Sequence, residues 1–275
     1  MKPVKQSKVI SQIIQQISEK HDGRWKVNHK RCWLEYLNSG RLSFTPGQLH
    51  DVITQVVNLP MNLPRGEKLF HFRQKFNFTI KEDRKPYRPE EALERFIVMA
   101  NRDMMYNQTP IGGGKESIDI VVQQGQSVEF VELKAWQGGD SPLYALIEGL
   151  KNLIEYRAIN ARGIKNIMMY PRVMVSVLAP ASYYQDYGLL DVREKPIGEN
   201  IAKTASLLRA LGKEFNAVLA CKYLPLPIDS FNQSCVVLFT RNQVTAQCSV
   251  AVTEYDIIDA LRYGNWIELA SSVVS

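Results

Sequence analysis

Apolar positions recur at helical spacing near the amino terminus and alternate with polar ones further on. Val9, Ile13, Ile14 and Ile17 predict an amphipathic helix over residues 4–20, and a second is predicted over 28–39. Ser43 or Thr45-Pro46 starts a third, which runs through Gln48 to Val57 before Pro60 and Pro64 break the pattern. From His71 to Ile80, Phe72, Phe76 and Phe78 alternate with polar residues and predict a strand. The charged stretch Lys81 to Arg88, with Pro86 inside it and Pro89 after it, is the clearest internal break. A mainly helical region over 1–70 is therefore expected to precede a domain over 71–275, with its core at about 89–180.

Pro89 opens a helix, PEEALERFIVMANRDM, with proline in the first position and acids in the first turn. Leu93, Phe96, Ile97, Ala100 and Met104 form its buried stripe; Glu90 and Glu94 lie on one edge of it and Glu91 points further away. A short strand over Met105 to Ile111 and a Gly112-Gly113-Gly114 link lead into Ser117 to Trp136, two strands broken only at Gly125-Gln126. After a Gly138-Gly139-Asp140 turn, Ser141 caps and Pro142 starts a helix, SPLYALIEGLKNLIEYRAI. Its packing face is Leu143, Leu146, Ile147, Leu150, Leu153 and Ile154, while Tyr144, Glu148, Asn152 and Tyr156 form a polar line at four-residue spacing. The pattern continues with a strand at Arg172 to Ala179, a helix at Glu199 to Leu211 and a strand at Ala217 to Tyr223. A hairpin over Ser234 to Val252, turning at Arg241-Asn242, and a last helix at Thr253 to Tyr263 complete it. The class is α/β.

Chemistry concentrates in the Ser117 to Trp136 hairpin. Glycine in the first position of a two-residue loop suits a type II′ turn in which Gln124 faces Ser127, and that register carried back brings Asp119 opposite Glu132. Lys134 projects from the same face as Glu132. One face is expected to carry Ile118, Ile120, Val122, Val131 and Leu133, and the other Val121, Val128 and Phe130 beside the two acids, so both faces read as buried. Like charges facing one another across a ladder are destabilising, and a buried carboxylate without a partner costs several kcal/mol or takes up a proton. A hard divalent cation relieves both problems. The same residues also fit a plainer arrangement, a Glu/Lys pair at a wet strand end with Asp119 as a turn neighbour. The edge glutamates Glu90 and Glu94 either complete a cation site or serve the amino-terminal electrostatics of their helix.

Charge divides the chain unevenly. Residues 1–88 hold 17 Lys/Arg against 7 Asp/Glu, a net of +10, while residues 89–275 hold 17 against 21, a net of −4. That asymmetry fits a polyanion-binding portion as well as a solvated helical surface. Trp25, Trp33, Tyr36 and Phe44 interleave with Lys26, Lys30, Arg31 and Arg41, though aromatics at helical spacing are more often core. All four histidines (His21, His29, His50, His71) lie in the basic portion and none accompanies Asp119 in sequence, which argues against a zinc hydrolase or a histidine-based nuclease. Cys32, Cys221, Cys235 and Cys248 lack CxxC spacing and read as buried thiols. Glu116 stands where a phosphate loop after Gly114-Lys115 needs Ser or Thr. The polar amino terminus and the absence of a long apolar run lead to the expectation of a cytoplasmic protein with no membrane partner.

From Pro89 onward the order is helix, three strands, helix, strand, with Asp119 on the second strand and Glu132-x-Lys134 on the third. This arrangement resembles the PD-(D/E)XK nuclease superfamily over roughly residues 89–180. Ile118 replaces the proline that often precedes the aspartate, and the following helix lacks the Gln-x-x-x-Tyr signature of the recombination-exonuclease branch; Glu148 and Asn152 occupy that region instead. The resemblance implies a restriction-endonuclease-like αβββαβ core, a mixed sheet flanked by helices, and Mg²⁺- or Mn²⁺-dependent phosphodiester hydrolysis. It implies that Asp119, Glu132 and the Leu133 carbonyl bind the metal and that one of Glu90 and Glu94 completes the shell; Glu148 and Asn152, on a helix line that could face the site, are expected as supporting residues. Lys134 would position or deprotonate the attacking water, or stabilise the phosphorane charge; a lysine beside a metal loses affinity for its proton, which suits the base role. The implied partner is nucleic acid, DNA before RNA, in restriction, repair or phage defence, with pairing of two copies into a homodimer as one way to cut both strands. A nucleic-acid-binding protein with the fold but no catalysis, and a non-nucleic-acid protein using the acids otherwise, are the alternatives.

Overall fold

The computed structural model of the protein describes residues 29–57, 74, 89–111, 117–134, 140–161, 170–225 and 254–273. The expected helix over 4–20, strand over 71–80 and hairpin over 234–252 lie outside these residues. Two helices come first, α1 (His29–Ser39) and α2 (Pro46–Val57). A capping box starts α2: the Thr45 hydroxyl accepts from the Gln48 backbone N–H at 3.3 Å and Gln48 Oε1 accepts from the Thr45 N–H at 2.8 Å, with Pro46 in the first turn. Then follow α3 (Pro89–Ala100), β1 (Met105–Pro110), β2 (Ser117–Gln124), β3 (Ser127–Leu133), α4 (Pro142–Ala161) and β4 (Arg172–Pro180). The remaining elements are α5 (Ala181–Asp186), α6 (Gly198–Phe215), β5 (Val218–Leu224), α7 (Glu254–Leu261), a 3₁₀ turn (Tyr263–Asn265) and β6 (Ile267–Ser271).

The six strands form one mixed, open sheet in the order β1-β2-β3-β4-β5-β6. Both outer pairs and the β2–β3 hairpin are antiparallel, whereas β3, β4 and β5 run parallel with α4 and α6 as crossovers. The hairpin register is the one the turn dictates: Gln124 pairs with Ser127 and Ile120 with Val131, and Gly125 has the positive φ (55°) that the first position of a II′ turn requires. Helices cover both faces. One face packs α1, α2, α4 and α6 against Val121, Val128, Phe130, Val175, Val177 and Leu219; the other packs α3 and α7 against Ile120, Val122, Val131, Leu133 and Leu178. The two amino-terminal helices therefore bury Trp33, Leu49 and Ile53 in the same cluster as α4 and α6.

One residue of the expected face pattern is corrected. Ile118 packs on the α4 side with Ile111, not with Ile120 and Val122. The physical reason lies opposite Asp119. Gln108, which the β1–β2 register places across from Asp119, is left-handed (φ 51°) and drops out of an otherwise continuous ladder. A single residue with positive φ rotates the pleat, and beyond it Ile111 and Ile118 change sides relative to Met105 and Ile120.

Two short elements have no clear periodicity. Helix α5 is six residues long and begins directly after Pro180. Strand β6 takes the place after α7 where the sequence predicts only a closing helix; Ile267 and Glu268 are exposed and Leu269 and Ala270 buried, so alternation is missing and pairing with β5 supplies the strand. Among the described residues no helix is long and apolar enough to cross a membrane.

Helix α4 is buried on nearly every side because it lies between the sheet and the α1–α2 pair. Gly149 permits that approach: a Cβ there would collide with Cγ1 of the fully buried Val175 on β4. Elsewhere in a helix Gly→Ala stabilises by up to ~1 kcal/mol. Here Gly149→Ala is expected to act with the opposite sign, lowering stability by about 1–3 kcal/mol in denaturant unfolding, because a β-branched neighbour in a packed core cannot move aside.

Candidate active site

Lys134 follows the last residue of β3, and its backbone N–H extends the parallel ladder by donating to the Leu178 carbonyl at 2.9 Å. Its side chain turns to the α4 face. There Nζ lies 2.7 Å from Glu148 Oε2, 3.2 Å from Glu132 Oε1 and 3.9 Å from Asp140 Oδ2. Glu132, Lys134 and Glu148 are all buried. Asp119, half-buried on β2, accepts the Leu133 backbone N–H at 3.0 Å and lies within hydrogen-bonding reach of the Glu132 carboxyl group. Four residues that the sequence separates by up to 29 positions thus meet at the carboxyl end of a parallel strand.

Negative charge exceeds positive charge in this cluster, and the acids carry the cost. Burial first, then the neighbouring Asp119 charge, push the Glu132 carboxyl well above the usual carboxylate range. Burial also raises Asp119, although Lys134 opposes it. For Lys134 burial works against the ammonium, yet Glu148, Glu132, Asp119 and Glu90 together outweigh it and raise its pKa well above that of an ordinary lysine. Lys134 is therefore a cation at neutral pH in this arrangement, which favours charge stabilisation over the base role among its expected functions.

The two edge glutamates of α3 separate. Glu90 is near enough for its charge to act on Lys134. Glu94 is buried and accepts from Asn107 Nδ2 at 2.7 Å and Gln108 Nε2 at 2.6 Å, so it braces the left-handed residue opposite Asp119. Ser117 Oγ also donates to Gln108 Oε1, at 3.1 Å. Two residues of the polar line of α4 reach the sheet: Glu148 meets Lys134 and Tyr156 packs edge-on against Phe130 with centroids 5.3 Å apart, while Tyr144 packs on His29. Asn152, between Glu148 and Tyr156, is fully buried, and among the described residues neither its Oδ1 nor its Nδ2 has a hydrogen-bond partner.

The separation of histidines from the acids in sequence does not hold in space for His29. Its Nδ1 accepts the Ser141 backbone N–H at 3.2 Å, its Nε2 lies 3.7 Å from Asp140 Oδ1, and its ring packs on Tyr144. Burial lowers its pKa, partly offset by Asp140, so it is neutral at physiological pH. Tyr183, whose hydroxyl donates to the Asp140 carbonyl at 2.9 Å, closes the same corner. Neither residue has a sequence signal; His29 reaches the site because α1 packs on the start of α4.

A second buried glutamate on β3 offers a comparison. Glu129, on the opposite face, accepts from Lys222 at 2.7 Å, Ser176 at 2.5 Å and Tyr263 at 2.6 Å. One acid there has one ammonium and two hydroxyls, a balanced structural network. The Asp119 cluster is not balanced in this way.

No family model, curated protein or solved structure matches the chain. Among the described residues no group of three or more His, Cys, Asp or Glu side chains is arranged to hold a metal ion; Glu132 and Glu148 turn toward Lys134. The donor set nevertheless suits a hard cation, since Asp119, Glu132 and Glu148 offer only oxygen and an excess of negative charge.

Removing the lysine should expose that excess. Lys134→Met is expected to cost about 3–5 kcal/mol at pH 8, since it leaves buried carboxylates without their cation. Because Asp119 and Glu132 bind protons more tightly in the folded than in the unfolded chain, acidification favours the native state, and the deficit should shrink toward pH 5. Thermal unfolding of wild type and variant at both pH values measures this; an equal deficit at both would contradict it.

Proposed function

We propose that the chain is a metal-dependent nuclease of the PD-(D/E)XK type, with a restriction-endonuclease-like core, that hydrolyses phosphodiester bonds of DNA. The observation that carries the reading is the meeting of Asp119, Glu132, Lys134 and Glu148 at the carboxyl end of parallel strand β3, inside an α3-β1-β2-β3-α4-β4 order. Ligands in open α/β sheets bind outside the carboxyl ends of strands, and an excess of buried carboxylate there has no structural use. Asp119 and Glu132, with the Leu133 carbonyl, would hold Mg²⁺ or Mn²⁺, and Glu90 is the better placed of the two edge acids to join them. When bound, the cation neutralises phosphate charge and provides a nucleophile at neutral pH. Lys134, protonated, stabilises negative charge developing on the phosphate.

The basic amino-terminal portion supports a polyanionic substrate. Helix α1, which contributes His29 to the site's corner, carries exposed Lys30 and Arg31 next to it. One observation favours a second reading, nucleic-acid binding without cleavage: both Glu132 and Glu148 are engaged with Lys134. Incubation of wild type and Asp119→Ala with supercoiled DNA, linear DNA and RNA, in Mg²⁺, Mn²⁺ or EDTA, separates the two. Cleavage of DNA that needs the metal and falls to background in the folded variant is expected. Retained binding in EDTA with no cleavage under any metal would favour the second reading, and unchanged cleavage by Asp119→Ala would remove the site assignment.

A further inference from the structure

Asn152 is the least explained residue of the described chain. It is fully buried on a helix packed against the sheet, and both ends of its carboxamide lack partners. Its place along the sheet follows from two contacts on either side. Glu148, one turn before it, reaches Lys134, and Tyr156, one turn after it, packs on Phe130. Helix α4 therefore runs antiparallel to β3, and Asn152 falls midway, at the level of Glu132, which shares a face with Phe130 and Lys134. A buried amide with two donors and two acceptors, unpaired at the level of the Glu132 carboxyl group, calls for an occupant that hydrogen-bonds to both. Ordered water, which pairs otherwise unsatisfied buried polar groups, is the simplest such occupant.

We propose that Asn152 is a positioning residue of the acidic site: through ordered water its carboxamide orients Glu132 and Glu148 for a divalent cation. The proposal rests on reading these carboxylates as a cation site. Its chemistry is that of an outer hydrogen-bonding partner, which fixes the orientation of a ligand without touching the ion, and loss of such partners typically weakens metal affinity by about 10–100-fold. A residue kept only for packing behaves differently, because an apolar side chain of similar volume would serve a buried, unpartnered position at least as well.

Asn152→Leu and Asn152→Ala, with Asn152→Gln as the conservative variant, test this through thermal unfolding in a titration of Mn²⁺ alone, a readout that needs no cleavage. The expected result is that Asn152→Leu melts at or above the wild-type temperature without metal, yet needs at least tenfold more Mn²⁺ for its half-maximal shift. Asn152→Ala should need similarly more, and Asn152→Gln should recover part of the loss. Equal Mn²⁺ requirements in wild type, Asn152→Leu and Asn152→Ala would overturn the proposal and leave the cation site standing. A large drop in melting temperature for both truncating variants without metal would also overturn it, by showing a packing role. No Mn²⁺ shift in wild type would remove the cation site and the positioning role together.

Discussion

Lys134 lies buried among carboxylates that outnumber it, and the elements around it create that imbalance. The tight turn at Gly125 fixes the register that brings Asp119 to Glu132, and the parallel pairing of β3 with β4 carries Lys134 to the strand end. The close approach of α4 at Gly149 then brings Glu148 within 2.7 Å of the ammonium. None of these is cheap. Like charges are forced together, Gln108 is held left-handed opposite Asp119, and an amide is buried without partners. Local rules broken together at one end of a sheet mark a place where folding alone did not choose the residues.

Glu129 shows what the alternative looks like on the same strand. With Lys222, Ser176 and Tyr263 it forms a network in which every charge has its complement. A glutamate needed only to anchor β3 to its neighbours would be expected to look like that one. Glu132 shares its lysine with two other acids, and burial drives it toward the protonated form. Under the proposed function, a divalent cation would relieve that crowding, which is what metal-assisted hydrolysis of phosphate esters calls for.

Much of this was readable along the chain because the signals are local. Gly125-Gln126 defines one register, which is found as expected, and of the four-residue line Tyr144, Glu148, Asn152 and Tyr156 two members, Glu148 and Tyr156, meet the sheet. What escaped was set by tertiary contact. His29 lies 112 residues from Ser141 in sequence, so nothing local connects it with the site. Gln108 is left-handed without being a glycine, its amide held by Glu94, and Ile118 on the neighbouring strand lies on the other face from Ile120. The choice between Glu90 and Glu94 depended on Asn107 and Gln108, whose amides hold Glu94. Strand β6 owes its form to the edge of β5 and not to any alternation of its own.

Under the proposed function, the Asp119 and Glu132 carboxyl groups, whose pKa values are raised by burial, give up protons when a divalent ion binds. Isothermal titration of the protein with Mg²⁺ or Mn²⁺ near pH 6, in buffers of different ionisation enthalpy, measures it directly, since metal binding to raised carboxyls must release protons. Saturable binding whose heat changes with the buffer is expected, with a smaller proton release in Glu132→Gln. Heat of binding independent of buffer, or no binding at all, would contradict it.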